Sequence, residues 1–318
     1  MSVTLFYTIV WRTIDAVNAT IKIAFPKSAE ECALAAAGFE KVSYNGVIKN
    51  CVGAVDGYLL AIQTPPKTVA KNVRSFFSGH YQKYGVNVQA CCDVNCRFTF
   101  LGLGGPGVTN DRVGVEESGL AKKIESLPSG YVVIGDCAYQ PTEKLIPIFG
   151  GDLALRPDNN NFNFFASQLR IRIEMAFGMM TRKWGILQRP LTNGLRSVKD
   201  IIFCIARLHN FCIDERLKRN TNDTFFAAST SIENFPRQNF NDSLSVEQLA
   251  YMYAAAEAEN LEITSYEYPQ WSFTREELVK TIKEQGLKRP TQNSLRKRKL
   301  TPTSAPTFPS FPGVEQVE

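Results

Sequence analysis

Hydrophobic and polar positions in residues 1–217 follow two patterns, one typical of buried strands and one typical of amphipathic helices. Apolar runs rich in β-branched residues predict strands at 51–62, 86–94, 97–103 and 131–134, with a short fifth strand at 153–155. The polar residues between the second and third runs indicate a hairpin turn. Strands followed by long helices predict an α/β protein with a mixed central sheet flanked by helices.

Apolar residues at helical spacing predict three long helices, at 3–25, 162–187 and 198–217. Residues 113–124 are expected to be helical in part, and the asparagines at 159–161 are expected to form a loop.

Two serines are predicted to begin the N-terminal helices. Ser2 is a plausible N-cap for the first helix, which Pro26 should end. Ser28 with Glu31 three residues later has the spacing of a capping box, and the second helix should run to about Gly38.

The composition changes beyond residue 219, which indicates appendages to the main domain. Residues rich in Asn, Ser and Thr predict a linker, an alanine-rich stretch predicts a helix at 245–262, and a proline-rich end predicts disorder. The predicted organisation is a helical segment at 1–45, an α/β domain at 46–217, a linker at 218–245, a helical extension at 246–290 and a basic, then Pro-rich disordered tail at 291–318.

Bulk composition excludes several classes of protein. A chain of 318 residues with 44% hydrophobic content can bury one sizeable core with appendages or two modest domains. Eight cysteines without a Cys-x-x-Cys pair, and only two histidines, argue against a disulfide framework and against a zinc site, and favour a reducing compartment. With no uncharged stretch of membrane-spanning length, we expect a soluble protein without a membrane partner.

The formal charge of +5 permits binding to a polyanion without requiring it. Six cations concentrate in residues 288–299, a pattern typical of a nuclear-import signal or a nucleic-acid-binding tail; they are Lys288, Arg289, Arg296, Lys297, Arg298 and Lys299. The alternative is a solvated segment that no receptor recognises.

Three carboxylates are the candidate chemistry of the chain. Asp56 interrupts one apolar run, Asp136 ends another, and Glu174 lies in the long amphipathic stretch. An ionised carboxylate in an apolar strand is costly unless a cation or hydrogen-bond donors compensate it, so a shared Mg²⁺ and phosphoryl-transfer chemistry are predicted. Taken singly, each has another explanation: a turn at Gly57, an Asx turn after Asp136, and an ion pair of Glu174 with Arg170.

A glycine-rich segment, Gly102–Gly107, matches the spacing of a dinucleotide-binding fingerprint but not its context. Pro106 stands where a helix should open, and the preceding strand is the third of a meander. We therefore interpret the segment as a glycine-rich strand exit.

Five segments resemble, in the same order, the sequence blocks of PIF/Harbinger-type DDE transposases. Residues 51–57 are similar to the first catalytic block, and 104–111 to the Pro-Gly-Ser-x-x-Asp block. Residues 134–139 resemble the Gly-Asp-Ser-Gly-Tyr block, 162–178 the helix that ends in Glu-x-x-Phe-Gly, and 208–210 the Leu-His-Asn block.

The resemblance implies an RNase H-like catalytic core and a metal-dependent DNA endonuclease that also performs strand transfer. It implies that Asp56, Asp136 and Glu174 are the catalytic acids and hold two Mg²⁺ or Mn²⁺ ions, with Asp111 as a candidate helper ligand. At the positions after Asp56 and Gly57, where the family usually has Thr-His, this chain has Tyr-Leu.

Basic residues near the predicted acidic helix are candidates for contacts with the phosphates of double-stranded DNA; they are Arg170, Arg172, Arg182 and Lys183. The alternative is a solvated helix face. By resemblance, residues 1–45 correspond to the end of a DNA-binding region. A Myb/SANT-like partner, a homodimer and a nuclear location are also expected. The alternative function is a domesticated or truncated transposase-derived protein that binds DNA or protein without turnover.

Overall fold

The computed structural model describes residues 2–219 and 272–290. The helices are α1 Val3–Thr20, α2 Ala29–Val42, α3 Asp111–Glu117, α4 Leu120–Glu125, α5 Pro157–Lys183, α6 Leu195–Arg219 and α7 Phe273–Glu284. The strands are β1 Cys51–Ala61, β2 Phe77–Ser78, β3 Lys83–Cys92, β4 Phe98–Pro106, β5 Val132–Gly135 and β6 Leu145–Pro147.

One mixed sheet organises the domain, and β1 is its central strand. β3 pairs antiparallel with both β1 and β4, whereas β5 lies parallel to β1 and β6 parallel to β5. The order is therefore β4-β3-β1-β5-β6, with the short β2 paired to the start of β3. A three-stranded meander extended by two parallel strands, with helices on both faces, is consistent with the RNase H-like nuclease fold predicted from the sequence.

The two faces of the sheet have separate hydrophobic clusters. On one face, α5 buries Phe165, Leu169 and Ile173 completely, and each such side chain contributes about 1.5–3 kcal/mol of transfer free energy. On the other face, Val55 of β1 and Leu120 of α4 belong to the second cluster. Both faces of β1 are covered, which explains why its sequence is a nearly continuous apolar run.

The structure corrects two predicted elements between β5 and α5. Residues 153–155 are not a strand but part of a 3₁₀ helix at Gly151–Leu155. The strand in this part of the chain is β6, and its three residues are too few to show a clear pattern in the sequence. The three asparagines are not a loop either, because α5 already begins at Pro157. Asn159 and Asn160 donate side-chain hydrogen bonds to the carbonyls of Leu153 and Ala154, which fixes the entry into α5.

The helix ends are mostly as predicted. Ser2 accepts a hydrogen bond from the Leu5 N–H, and Ser28 with Glu31 forms the capping box. α1 ends before the predicted boundary, at Thr20, and α2 continues past Gly38 to Val42. The predicted linker, the helix at 245–262 and the tail from residue 291 onward lie outside the described residues, whereas α7 falls inside the predicted C-terminal extension.

Two polar anchors join distant segments to this frame. Asn210 of α6 accepts a hydrogen bond from the Phe98 N–H and donates one to the Phe98 carbonyl, both at 2.8 Å, which ties α6 to the start of β4. The buried His209 contacts the Cys96 carbonyl at 2.9 Å. Through these contacts His209 and Asn210 have a structural role.

The segment 272–290 packs against the beginning of α5. Glu143 accepts hydrogen bonds from the N–H groups of Phe273 and Thr274, and the Arg275 guanidinium lies 4.0 Å from the centre of the Phe149 ring. Within the part of the chain that the structure describes, no helix is both long and apolar enough to cross a membrane.

Candidate active site

Asp56 and Asp136 lie side by side at neighbouring parallel strands. Ala54 of β1 is in register with Ile134 of β5, and each aspartate follows its strand partner by two residues. Each carboxylate also accepts a hydrogen bond from the next backbone N–H, at 2.8 Å from Gly57 and 2.7 Å from Cys137. The parallel pairing thus places the first two acids predicted from the sequence next to each other, with Asp56 inside β1 and Asp136 directly after β5.

Arg170 of α5 joins Glu174 to this pair. Its Nη1 atom lies 2.5 Å from Glu174 Oε1 and 4.0 Å from Asp56 Oδ2. Asp56 Oδ2 and Glu174 Oε1 are therefore separated by no more than the sum of those two distances. At this separation both carboxylates can belong to one site. The Arg170 Nε atom is buried and makes no hydrogen bond within the described residues.

The pKa of Asp56 is raised to about 7, well above the ordinary value for an aspartate. Burial is the main cause, and the charges of Asp136 and Asp111 add to it. Arg170 and the hydrogen bond from the Gly57 N–H oppose the rise without cancelling it. Asp56 therefore lies in an environment where its negative charge is only partly compensated.

The donor chemistry of this cluster fits a hard divalent cation. Carboxylate oxygens are the ligands that Mg²⁺ and Mn²⁺ prefer, and a buried acid with a pKa near 7 indicates that positive charge is in short supply. Among residues 2–219 and 272–290, however, no group of three or more His, Cys, Asp or Glu side chains is arranged to hold a metal ion. Arg170 contacts both Asp56 and Glu174, so a guanidinium provides the positive charge in this arrangement.

Asp111 lies on the opposite face of the sheet from this cluster. It is the first residue of α3, and its Oδ1 accepts hydrogen bonds from Gln89 at 2.8 Å and Asn87 at 3.3 Å. Because side chains alternate along a strand, Gly57 faces α3 while its neighbour Asp56 faces α5. The structure therefore does not bring Asp111 to the Arg170 side, where a helper ligand would be needed.

A buried polar network surrounds Asp111. Fully buried Gln89 accepts a hydrogen bond from the Tyr139 hydroxyl at 2.6 Å and donates to Asn87 Oδ1 and to Asp111 Oδ1, both at 2.8 Å. A Cβ atom on Gly57 would come within 2.0 Å of Asp111 Oδ1, so this close approach requires glycine. The network packs against Gly57, next to Asp56, and reaches the segment that follows Asp136 through the Tyr139 hydroxyl.

Aromatic side chains border the acids. Tyr58, which faces α5 like Asp56, stacks on Phe177 with ring centres 5.2 Å apart, and burial raises its pKa to about 12. The pKa of Tyr81, in the turn before β3, is raised by burial and then by the charges of Asp56, Asp111 and Asp136. In this chain, therefore, aromatic side chains lie near Asp56.

The four basic residues predicted to contact DNA have different environments. Arg172 is only 2% exposed and lies against Cys96, so its prediction as a phosphate contact is wrong. Arg170 is held by the acids, whereas Arg182 and Lys183 are exposed in the last turn of α5.

Of the predicted nuclear-import cluster, the structure describes Lys288 and Arg289, and both are exposed. The Arg289 N–H donates to Asn161 Oδ1 at 2.9 Å, and its guanidinium donates to Asn160 at 3.3 Å. The remaining members, Arg296, Lys297, Arg298 and Lys299, lie outside the described residues.

Sequence reasoning missed the polar residues that support the acids, namely Asn87, Gln89 and Tyr139. A signal existed for the first two, since they are polar, two residues apart, and lie in an otherwise apolar strand, which places them on one face. Nothing in the sequence indicated that this face meets Asp111. Tyr81 had no signal, since it lies in a turn and reaches the acids only through the fold.

A family model described as a DDE superfamily endonuclease matches residues 55–210, a range that begins one residue before Asp56 and ends at Asn210. This part of the chain therefore resembles the DDE superfamily of endonucleases. The resemblance to Harbinger-type DDE transposases is thereby confirmed at the family level.

One curated relative is a protein named ALP1-like from Arabidopsis thaliana. It is 26% identical over 226 residues, which cover 65% of this chain and 52% of the relative. The chain thus spans about half the length of the curated relative that it matches. No solved structure matches the chain significantly.

Proposed function

We propose that this domain is a divalent-metal-dependent DNA endonuclease and strand transferase in which Asp56, Asp136 and Glu174 are the catalytic acids. The observation that carries the proposal is the adjacency of Asp56 and Asp136 at two parallel strands, with Glu174 linked to them through Arg170. The match of residues 55–210 to a superfamily of endonucleases agrees with this assignment.

Asp56 and Asp136 would hold one or two Mg²⁺ or Mn²⁺ ions together with Glu174. Bound there, these ions supply Lewis acidity and a template for in-line displacement at phosphorus. The hydrogen bonds from the Gly57 and Cys137 N–H groups restrain the two aspartate carboxylates. Burial that keeps the Asp56 pKa near 7 makes this carboxylate sensitive to any added positive charge.

Arg170 has a second role in this proposal. In the described arrangement it neutralises Glu174 and partly compensates Asp56. If a bound cation compensated the acids instead, the Arg170 guanidinium would be free for a substrate, and its planar fork would suit the non-bridging oxygens of a phosphodiester. The attacking oxygen of water or of a DNA 3′-hydroxyl would then form the new P–O bond and lose its proton to solvent, while the opposite P–O bond breaks and its leaving oxygen takes up a proton from solvent.

The deciding experiment is nicking of supercoiled plasmid in Mg²⁺ or Mn²⁺. We expect the wild type to nick, and Asp56→Asn and Asp136→Asn each to lower the rate by about 10²–10³-fold or more, because charge stabilisation of the transition state is lost. Asp152→Asn is the matched control, since Asp152 is an exposed aspartate on another segment. DNA binding without metal should be retained in all variants, and nicking that persists in both site variants would refute the proposal.

A second candidate is a DNA- or protein-binding module without turnover. The observation that favours it is the Arg170 contact with both acids, in a described structure where no three acids are arranged for a metal. A folded wild type that binds DNA but does not nick it would support this alternative.

The remaining expectations are proposals of the same resemblance: a Myb/SANT-like partner, a homodimer and a nuclear location directed by the cluster from Lys288 to Lys299. Sedimentation of the purified chain tests the dimer. A fluorescent fusion with the six cations changed to glutamine tests the import signal.

A further inference from the structure

A cavity of about 420 Å³ lies at the outer edge of the sheet, away from the acids. Its walls come from the end of α1 with the connection to α2, from β4, from α4 and from α6; the lining includes Phe25, Thr99, Phe100, Leu101 and Phe203. Among the described strands, β4 pairs only with β3, so the cavity extends along an edge strand. None of its lining residues belongs to the candidate active site.

The charge of this cavity has one sign. Lys22, Lys27, Lys123 and Arg207 line it, and no aspartate or glutamate does. All three lysines are exposed to solvent. The nearby Glu31, whose charge interacts with Lys27, lies outside the lining. Four cations with no carboxylate in the lining produce a positive potential in the cavity.

Arg207 is a preorganised cation in this cavity. Its Nε donates to the Ile21 carbonyl at 2.8 Å, and its Nη1 donates to Asn18 Oδ1 at 3.3 Å and to the Phe203 carbonyl at 3.2 Å. The guanidinium also lies 5.3 Å from the centre of the Phe203 ring. The Nη2 group makes no hydrogen bond within the described residues, so two donors of a fixed guanidinium remain for a ligand.

A fixed guanidinium with nearby ammonium groups is the arrangement that binds phosphate, because it matches a tetrahedral oxyanion with both directional and point charges. We propose that this cavity is a phosphate-binding site and that the phosphate belongs to the backbone of a DNA duplex held along the β4 edge. The source of the phosphate rests on the proposed function, whereas the phosphate chemistry rests on the cavity alone.

The test compares two triple variants with the same change of charge. The cavity variant is Lys22→Gln, Lys27→Gln and Lys123→Gln. The control variant is Lys41→Gln, Lys49→Gln and Lys122→Gln, whose lysines are equally exposed but do not line the cavity. Lys122 and Lys123 are neighbours in α4, which makes the comparison stringent. All six positions are exposed, so both variants should unfold at the same temperature as the wild type.

Binding of a fluorescent duplex is measured by anisotropy, with chelator present, between roughly 50 and 200 mM salt. We expect the cavity variant to bind the duplex about 10-fold or more weakly than the wild type. The slope of log K against log salt concentration should become shallower by about 0.9 for each lost phosphate contact. The duplex affinity of the control variant should stay within about 2-fold of the wild-type value, because only the general effect of a lower net charge acts on it. Equal weakening in both variants would overturn the proposal.

Titration calorimetry with inorganic phosphate separates the two sources. If phosphate binds to the wild type but not to the cavity variant, while duplex affinity is equal in the two, the site takes a free phosphate and the DNA assignment is wrong. The result is also independent of catalysis, because no step of the assay requires cleavage. A wild type that fails to nick plasmid, but shows the expected difference in binding, would remove the proposed function and leave the cavity site standing.

Discussion

The two faces of β1 give carboxylates different environments. On the α5 face, Asp56 is a carboxylate whose charge is incompletely compensated, and its pKa rises to about 7. On the α3 face, Asp111 is held over Gly57 by the amides of Gln89 and Asn87. Adjacent positions on β1 thus belong to two polar clusters. Hydrogen bonds hold the carboxylate in one cluster, and in the other the negative charge is only partly compensated.

The difference separates a site from its support. The α3-face network is buried, and its hydrogen bonds are made within the protein, as expected of polar groups that stabilise a fold. The α5-face cluster combines carboxylates with one guanidinium whose Nε has no hydrogen bond in the described residues. Such an arrangement stabilises the fold poorly and leaves room for a cation or a phosphate.

The largest effect should come from Gly57→Ala, which disrupts the α3 face alone. The new Cβ would meet Asp111 Oδ1 at 2.0 Å and Gln89 Nε2 at 3.0 Å, so the network must shift. We expect unfolding in urea to show a loss of about 2–4 kcal/mol. Gly178→Ala is the control, because its Cβ meets open space on α5 and should add stability of about 0.5–1 kcal/mol. An unchanged stability for Gly57→Ala would show that the network is not rigid.

Asp56→Asn should raise the free energy of unfolding at neutral pH, whereas Gly57→Ala should lower it. Between the ordinary aspartate pKa near 4 and the folded value of about 7, the folded protein holds a proton that the unfolded chain has released. Asp56 therefore lowers stability progressively as pH rises through this window, and the cost is constant above it. A shift of about three pKa units corresponds to at most about 4 kcal/mol. Without metal, we therefore expect the variant to gain about 2–4 kcal/mol at pH near 8 and nothing at pH near 4. A loss of stability across the whole range would contradict the raised pKa.

Tyr139→Phe probes the contact between the network and the Asp136 segment. The change removes the hydroxyl that donates to fully buried Gln89 and leaves its Oε1 without that donor. We expect a loss of about 1–2 kcal/mol in thermal or urea unfolding. Tyr131→Phe is the matched control, since its hydroxyl makes only an exposed 3.4 Å hydrogen bond to Ala29. Equal losses in both variants would argue against a special role for the Gln89 contact.

Glu174→Gln should change stability least. Its side chain is 46% exposed, so its ion pair with Arg170 is screened by solvent and contributes about 0–0.5 kcal/mol. Plasmid nicking should nevertheless fall as far as in Asp56→Asn, because Glu174 is a predicted catalytic acid. A large loss of stability with retained nicking would assign Glu174 a structural role.

Several features of the fold were readable from local patterns. The central strand, the hairpin after it, the capping box at Ser28 and the long helix α5 are all present. β6 and the true start of α5 were missed because three-residue strands and asparagine runs carry little periodic signal. The error at Arg172 was avoidable, because it lies three residues after Leu169 and four before Ala176, on the apolar stripe of the helix.

By itself, the sequence predicted the α/β class, the resemblance to DDE transposases and the three candidate acids, because strand alternation, helical periodicity and motif order are local properties. Only the tertiary structure placed Asp111 on the face opposite Asp56, brought Arg170 to the acids and joined Tyr139 to Gln89 across the sheet. The basic cavity likewise assembles from α1, β4, α4 and α6. These contacts depend on strand order and on how helices pack against the sheet, and pairings between residues far apart in the chain leave no periodic trace in one sequence.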